Sequence, residues 1–420
     1  MADTARRSTV LHYCHHSVGL GHLVRSLAVA GALAEHHRVV LCSGGRVPAG
    51  LSVPPGVEIV ALPPVGRAPD GELVSQTPGV TLDEARTRRR ALLLACFADL
   101  DPDVVLVELF PFGRRKFAPE ILALLDLARS AARRPKIVSS VRDLLVTGHP
   151  DKQRHDDEAA QRLDAYFDAV IVHGDPRFAH LEDTFRPATW PRVPILYSGF
   201  VRAATAVPAA PRRPGDEVVV SAGGGLSGAR LFDAAVDAHV GDFAPRGLRT
   251  RIVTGPFLPA DDFAGLLQRS EGCAGLSVER FVADLGTQMA GAAVTVSQCG
   301  YNTALDILLG GAPAVVVPFA EAGDDEQVER ARRLSAMGLV EVVAPEALSA
   351  SSLAQAVLAA RRRPRRTVAV DVGGAATAAS LIGALAPVAR GASTPPPTLP
   401  ENLTTRRHAP MTAPGNRRPA

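Results

Sequence analysis

Residues 217–228 read Glu-Val-Val-Val-Ser-Ala-Gly-Gly-Gly-Leu-Ser-Gly, and a helix-period segment, Ala229–Val240, follows at once. A β-branched run without polar alternation is how a strand reads when helices cover both faces of a parallel sheet. A glycine-rich turn leading straight into a helix completes one strand–turn–helix unit. Working outward, the same grammar recurs: strands are expected at Leu248–Val253, Gly275–Val278, Ala293–Ser297 and Ala314–Val317, with helices at Asn302–Leu309 and Glu326–Met337. Towards the amino terminus, strands are expected at Val10–Cys14, Val39–Cys42, Val57–Val60, Val104–Val107, Ile137–Ser140 and Ala169–Val172. Helical segments Leu23–Glu35, Leu82–Ala98 and Ala118–Ala131 lie between them. Alternation of this kind is the mark of doubly wound α/β.

The period breaks near Phe200, where residues 201–215 carry three prolines and no repeat, which predicts a linker. The fold class is therefore α/β, with two Rossmann-like doubly wound parallel-sheet domains facing a cleft. Residues 1–200 form the amino-terminal domain and 216–386 the second. Residues 387–420, rich in Pro, Thr, Arg and Ala, are expected to be disordered. A ligand belongs outside the carboxyl ends of the strands, between the domains.

Composition narrows the classes. The 420 residues carry 46 basic and 43 acidic side chains, a net charge of +3 that demands no nucleic-acid partner. The basic run Arg361–Arg366 allows at most peripheral membrane contact. Five scattered cysteines form no CxxC pair, so a disulfide framework or zinc ribbon is not expected. The start lacks a signal-type apolar core and no window reaches about 18 apolar residues, which predicts a cytoplasmic protein. Only Lys116, Lys136 and Lys152 are lysines, a bias read as genomic.

Three stretches carry candidate chemistry. His15–His22 joins the first strand to its helix, with Gly19 and Gly21 permitting the turn. It lacks the third glycine of a dinucleotide fingerprint, and no acid follows at the ribose position, which disfavours NAD. His22 stands at the helix start, where the positive dipole end opposes imidazolium and favours a neutral general base. The group His12, Cys14, His15 and His16 is split between strand faces, so no metal is expected. In the second stretch, Gly223, Gly224, Ser227 and Gly228 form an anion nest ahead of a helix, without the Lys of a Walker loop. The third stretch is Ser297–Asp306, where Gly300 turns and Asn302 or Thr303 is expected to cap the next helix. Asp306 is placed to accept ribose hydroxyls. The loop Pro318–Gln327 adds Asp324, Asp325, Glu326 and Gln327 at another strand end. Glu108–Gly113 and Ser140–Asp143 lie at strand ends of the first half, so Glu108 and Arg142 are acceptor-side candidates. Asp101-Pro102-Asp103 spells Asp-x-Asp but introduces a strand and reads as loop punctuation.

From about Val218 to Val343 the chain resembles the carboxyl-terminal domain of family 28 glycosyltransferases. The resemblance rests on Ala222–Arg230, Glu279–Leu285, Ser297–Asp306 and Pro318–Gln327. The stretch Gly19–His22 with Ser26–Ala30 resembles the same family's amino-terminal Gly-Gly-His motif. The resemblance implies a GT-B fold and transfer of a sugar from a nucleotide-diphosphate donor, of the UDP-sugar type, to a hydroxyl acceptor, lipid-linked or a small metabolite. It also implies that no divalent metal or other cofactor is needed. Carried over residue by residue, Gly223, Gly224, Ser227 and Gly228 face the diphosphate, and Phe281 and Val282 face the base. Gly300, Asn302, Thr303 and Asp306 line the nucleotide side. Glu326 and Gln327 face the donor sugar, and His22 is the base. Asp306 is shorter than the family's usual Glu, and Arg330 replaces its Asn.

Other classes remain open on these residues. An epimerase or hydrolase of the same fold would use the Asp324–Glu326 acids and need no acceptor. A sensor would bind nucleotide sugar without turnover. An interaction protein would use the arginine run and the tail.

Overall fold

The computed structural model describes residues 7–16, 21–47, 51–68, 72–148, 150–202, 215–225, 227–282, 284–319 and 325–386. The expected tail 387–420, most of the linker, Gly19 and Asp324 lie outside these residues.

The first half runs β1 (Thr9–Cys14), α1 (Gly21–Ala34), β2 (Arg38–Ser43), β3 (Val57–Ala61), β4 (Val65–Arg67), β5 (Leu73–Ser75), α2 (Leu82–Leu100), β6 (Val104–Glu108), α3 (Ala118–Ser130), β7 (Lys136–Arg142), α4 (Lys152–Tyr166), β8 (Ala169–His173) and β9 (Ile195–Tyr197). The second half runs β10 (Glu217–Ser221), α5 (Ala229–Ala238), β11 (Arg249–Val253), α6 (Ala260–Ser270), β12 (Leu276–Glu279), α7 (Leu285–Gly291), β13 (Val294–Ser297), α8 (Tyr301–Gly310), β14 (Ala314–Val316), α9 (Glu326–Ala336), β15 (Val340–Val342), α10 (Ala350–Ala360) and α11 (Gly374–Leu385).

The first sheet is ordered β3-β2-β1-β6-β7-β8-β9 and the second β12-β11-β10-β13-β14-β15, with parallel pairing throughout both. In each, the order reverses beside the first strand, between β1 and β6 and between β10 and β13. These are the switch points at which doubly wound sheets hold ligands. Strand alternation sends Leu11 and Tyr13 to one layer of core and Val10 and Cys14 to the other.

Two boundaries differ from the sequence expectation. The helix α11, assigned with 216–386, packs on α1: Ala378, Leu381 and Ile382 share a core with Val10, Leu23, Leu27 and Leu33. The second domain thus returns its last helix to the first, because the apolar face of α11 completes the layer over β1. The expected linker also begins later than position 201. Val201 is buried, bridges to Gly373, and donates its N–H to the Tyr301 hydroxyl at 2.9 Å. A seam of Leu144, Phe178, Phe200, Tyr301 and Leu305 joins the halves, with the Phe200 ring edge-on to Phe178 and tilted against Tyr301, 5.7 Å between centroids in each pair.

Candidate active site

At the first switch point β1 leads to α1, and α1 begins at Gly21 with no acid in its first turn. The next strand, β6, ends on Glu108, which is fully buried. The two ends meet: Glu108 Oε1 lies 2.5 Å from His22 Nδ1 and accepts from Arg25 at 2.6 Å, while Arg114 donates to Oε2 at 3.2 Å. Burial alone would raise the Glu108 carboxyl, but His22, Arg114 and Arg25 hold it well below the usual range. An ionised carboxylate only accepts, so the shared proton sits on His22 Nδ1 and leaves Nε2 with its lone pair. Burial drives His22 down to about 3, with Glu108 opposing and Arg114 and Arg142 adding. The imidazole is neutral at ordinary pH, and the cause is its burial rather than the helix start on which the sequence expectation rested.

The second switch point is built from backbone. Gly223 and Gly225 adopt φ of +56° and +90°, which lets the loop fold back on itself: Gly225 N–H bonds Ala222 O and Gly228 N–H bonds Gly225 O. The loop is braced from behind by Gly255, missed in the sequence reading. A Cβ there would stand 2.3 Å from Gly223 O and 2.5 Å from Gly224 C. Phe257 N–H adds a bond to Gly224 O at 2.9 Å. The turn Thr254-Gly255-Pro256 after a strand was the available signal. Both α5 and α8 start from glycine, Gly228 and Gly300, without an acid in the first turn. Their first N–H groups and positive dipole ends are left for a ligand. Beneath the loop, Ser221 and Ser297 face each other in register, each hydroxyl buried with no partner among the described residues.

Gly300 itself is the N-cap of α8, with extended backbone. This corrects the expected cap at Asn302 or Thr303, because the helix already starts at Tyr301. Phe281 is 73% exposed and Val282 is buried beside it, at the outer end of the second sheet. Asp306 accepts from Arg202 at 3.2 Å and lies against Gly286. Burial raises its carboxyl to about 6, with Arg202 opposing.

The two switch points are linked by contacts across the cleft. Within the second switch point, Gln298 Nε2 donates to Ser227 O at 3.0 Å and ties its two loops together. Tyr301, three residues on, lies under the Arg25 guanidinium, 5.4 Å from ring centroid to carbon, and Arg25 bonds Glu108 beside His22. A second bridge is ionic. Arg330, fully buried, grips Asp143 through two nitrogens at 2.9 and 3.2 Å and reaches Glu326 at 2.6 Å. Arg142 pairs with the other Glu326 oxygen, and Asp325 accepts from Thr147 N at 2.6 Å. Glu326 is thus held between domains. Gln327 turns its carbonyl to the N–H groups of Cys299 and Phe319 at 2.9 and 3.0 Å, bracing the two loops. The Arg142 and Arg330 bridge was invisible in the sequence, since it depends on how the domains face one another.

Elsewhere, Asp103 accepts from Thr9 N at 2.8 Å, so Asp101-Pro102-Asp103 introduces β6 as expected. No cluster of three metal-ligating side chains exists among the described residues. None of their helices is long and apolar enough to cross a membrane.

Residues 219–379 match the glycosyltransferase family 28 C-terminal domain. A relative from Methylobacterium nodulans, named UDP-N-acetylglucosamine--N-acetylmuramyl-(pentapeptide) pyrophosphoryl-undecaprenol N-acetylglucosamine transferase, is 29% identical over 324 residues, 76% of this chain and 79% of its own. Relatives of the same name from Rhizobium and Brucella match over less than half of their length. Among solved structures, a calicheamicin glycosyltransferase superposes with a TM-score of 0.56 at 19% identity, covering 90% of this chain and 98% of its own. MurG of Acinetobacter baumannii gives 0.52 at 16%, covering 89% and 95%. Likeness over nearly the whole of both chains fixes the two-domain arrangement as the GT-B fold.

Proposed function

We propose that this chain, a glycosyltransferase whose residues 219–379 form a family 28 carboxyl-terminal domain, moves a sugar from a UDP-sugar to a hydroxyl acceptor with His22 as general base. The observation that carries the reading is the meeting of the two switch points: a neutral, oriented imidazole on one side and an uncapped glycine cradle on the other, joined through Arg25 and Tyr301.

In the proposed reaction the acceptor oxygen attacks the anomeric carbon and gives its proton to His22 Nε2. The bond from that carbon to the diphosphate oxygen breaks, and its electron pair stays on the diphosphate. The N–H groups of Gly223, Gly224 and the first turn of α5, with the α5 dipole, receive the developing charge. Glu108 stabilises the imidazolium and holds the tautomer, the part a buried carboxylate plays in other base-catalysed transfers. Asp306 accepts ribose hydroxyls once Arg202 yields, and Phe281 with Val282 covers the base. No step calls on a divalent cation, because N–H groups and a helix dipole carry the leaving charge. The acceptor of the Methylobacterium relative is lipid-linked by its name, which supports a hydroxyl on an acidic, lipid-bearing molecule.

The test is calorimetry with UDP, GDP, dTDP and their sugars, followed by nucleoside-diphosphate release with and without acceptors. Preference for UDP and release that depends on an acceptor are expected. Release at the same rate without any acceptor assigns a hydrolase, and binding without release assigns a sensor.

A further inference from the structure

One pair of reactive side chains takes no part in the proposed transfer. Cys42 on β2 and Cys96 on α2 lie 54 residues apart in the chain, and their sulfurs meet at 3.7 Å. Strand alternation brings them together. Cys42 shares its face of β2 with Val40, in the core that α2 covers, whereas Cys14 belongs to the core on the opposite face. Cys299 is buried in the seam between the halves, and Cys273 donates to the Arg269 carbonyl. Of the five cysteines, Cys42 and Cys96 alone have a sulfur partner among the described residues.

The two thiols are unlike. Cys42 is fully buried, and Cys96 is partly exposed. The Cys42 S–H donates to Cys96 Sγ, and such a bond favours the thiolate of the acceptor and the thiol of the donor. The Cys96 thiol is accordingly lowered by Cys42, with burial, Asp99 and Glu58 opposing and Arg38 adding. The same bond, together with burial, holds Cys42 well above its ordinary value. The thiolate is the reactive form of cysteine, so an oxidant arriving from solvent meets a nucleophile with a second thiol held against it.

We propose that Cys42 and Cys96 form a thiol–disulfide exchange site, reduced at rest, whose oxidant is a small-molecule disulfide of the glutathione class. The Cys96 thiolate attacks one sulfur of the oxidant. The oxidant's S–S bond breaks, and its electron pair leaves on the first glutathione thiolate. Cys42 then attacks the Cys96 sulfur, its proton passing to that thiolate, and the second glutathione departs with the electron pair of the mixed disulfide. Two protein thiols lose two electrons, and one glutathione disulfide becomes two thiols. Disulfide sulfurs stand about 2.0 Å apart, so closure starts from side chains already in contact. The bond joins α2 to β2 beside an existing clamp. Arg89, two turns earlier on α2, is fully buried and donates to the Gly44 and Pro63 carbonyls at 2.6 and 2.9 Å, and Gly44 stands just past the end of β2. Closed, the pair gives the helix a second anchor on the same strand, one that free thiols reopen.

The test exposes the folded full chain to excess glutathione disulfide, quenches in acid, alkylates the remaining thiols and maps the peptides by mass spectrometry. A Cys42–Cys96 cross-linked peptide, two hydrogens lighter than its two thiol peptides together, is expected, with full reversal by dithiothreitol. Cys42→Ala lacks the resolving thiol and should stop at a stable glutathione adduct on Cys96. Cys96→Ser should leave Cys42 unmodified, because burial hides it. The wild-type cross-link does not depend on either variant folding. A glutathione adduct that persists on wild-type Cys96 without the cross-link would overturn the proposal, as would a cross-link that forms only in denaturant. Two free thiols at Cys42 and Cys96 under conditions that modify Cys273 would do the same, and an adduct on Cys42 in Cys96→Ser would overturn the order of attack.

Discussion

His22 Nδ1 and Glu108 Oε1 stand 2.5 Å apart across the first switch point, one on the opening turn of α1 and the other on the last residue of β6. The pair joins two elements 86 residues apart in the chain, and it decides which imidazole nitrogen faces chemistry. His22→Ala should lower kcat by about 10²–10⁴-fold, the usual worth of a general base, with the UDP Kd within about twofold. Glu108→Gln keeps the shape but loses the charge that stabilises imidazolium, so kcat should fall while UDP binding holds. Single-turnover sugar transfer beside UDP calorimetry separates the two, and full activity in His22→Ala removes it from the reaction.

Much of this architecture is legible in residues alone, for a physical reason. Buried parallel strands are unbroken apolar runs, so β10 falls on its expected bounds Glu217–Ser221 and β1 within one residue. The helix α4 was missed because its buried positions Asp156, Ala159, Ala160 and Leu163 keep helical spacing but are an acid, two alanines and a single leucine, which carry little apolar signal. The strand β9 is three residues long. The return of α11 was missed because nothing in Gly374–Leu385 says which core it completes. The site divides in the same way. Glycine turns and a histidine at a helix start are local signals, whereas the Glu326–Arg142 and Arg330–Asp143 contacts arise only when two domains meet.

Asp306 gives a binding test. Its carboxyl is raised to about 6, and the charged form is the one that accepts both ribose hydroxyls. As pH falls through 6 the carboxylate is neutralised, so affinity for uridine should weaken, by at most about tenfold per unit from linkage to one proton. Uridine is the proper probe because it has no phosphate to titrate. Asp306→Asn should abolish the dependence. A wild-type profile as flat as the variant's between pH 5 and 7.5 rejects the ribose role.

Gly255 tests the cradle from behind. Its φ is +86°, and a Cβ would press on Gly223 O at 2.3 Å. Gly255→Ala should displace the 223–225 backbone, at a cost of about 1–3 kcal/mol in stability, and weaken UDP binding at least about tenfold. Gly265 in α6 meets nothing within 4 Å, so Gly265→Ala should be neutral or stabilising by up to about 1 kcal/mol. Equal UDP affinity in both variants would detach the loop from the diphosphate.

Arg330 holds the interface. Removing it leaves Asp143 and Glu326, 1% and 5% exposed, as buried carboxylates, though Arg142 still reaches the latter. Loss of one partner from a buried network costs about 3–5 kcal/mol, so Arg330→Met should lower the denaturation midpoint sharply. Arg330→Lys should not restore it, since a point charge cannot bond Asp143 through two nitrogens and Cys299 O as well. A midpoint unchanged in Arg330→Met would make the network incidental.

Buried histidines set the acid limit. His12 is lowered to about 4, chiefly by burial, and His173 and His22 to about 3 by the same cause. Their folded values lie below the ordinary value of about 6.5, so the unfolded chain takes up protons first as pH falls. Their contribution is present above 6.5 and is lost as pH drops from there towards 3–4, each group removing about 1.4 kcal/mol per unit in that window. Three such groups predict a steep fall in melting temperature between pH 6 and 4.5. His12 isolates one of them. Both of its ring nitrogens are buried without a partner among the described residues, so His12→Leu removes two orphaned polar atoms at similar volume. The variant should be at least as stable as wild type at pH 7 and lose stability less steeply in acid. A large destabilisation at pH 7 would mean that the imidazole is bonded after all, by a water bound beneath α1.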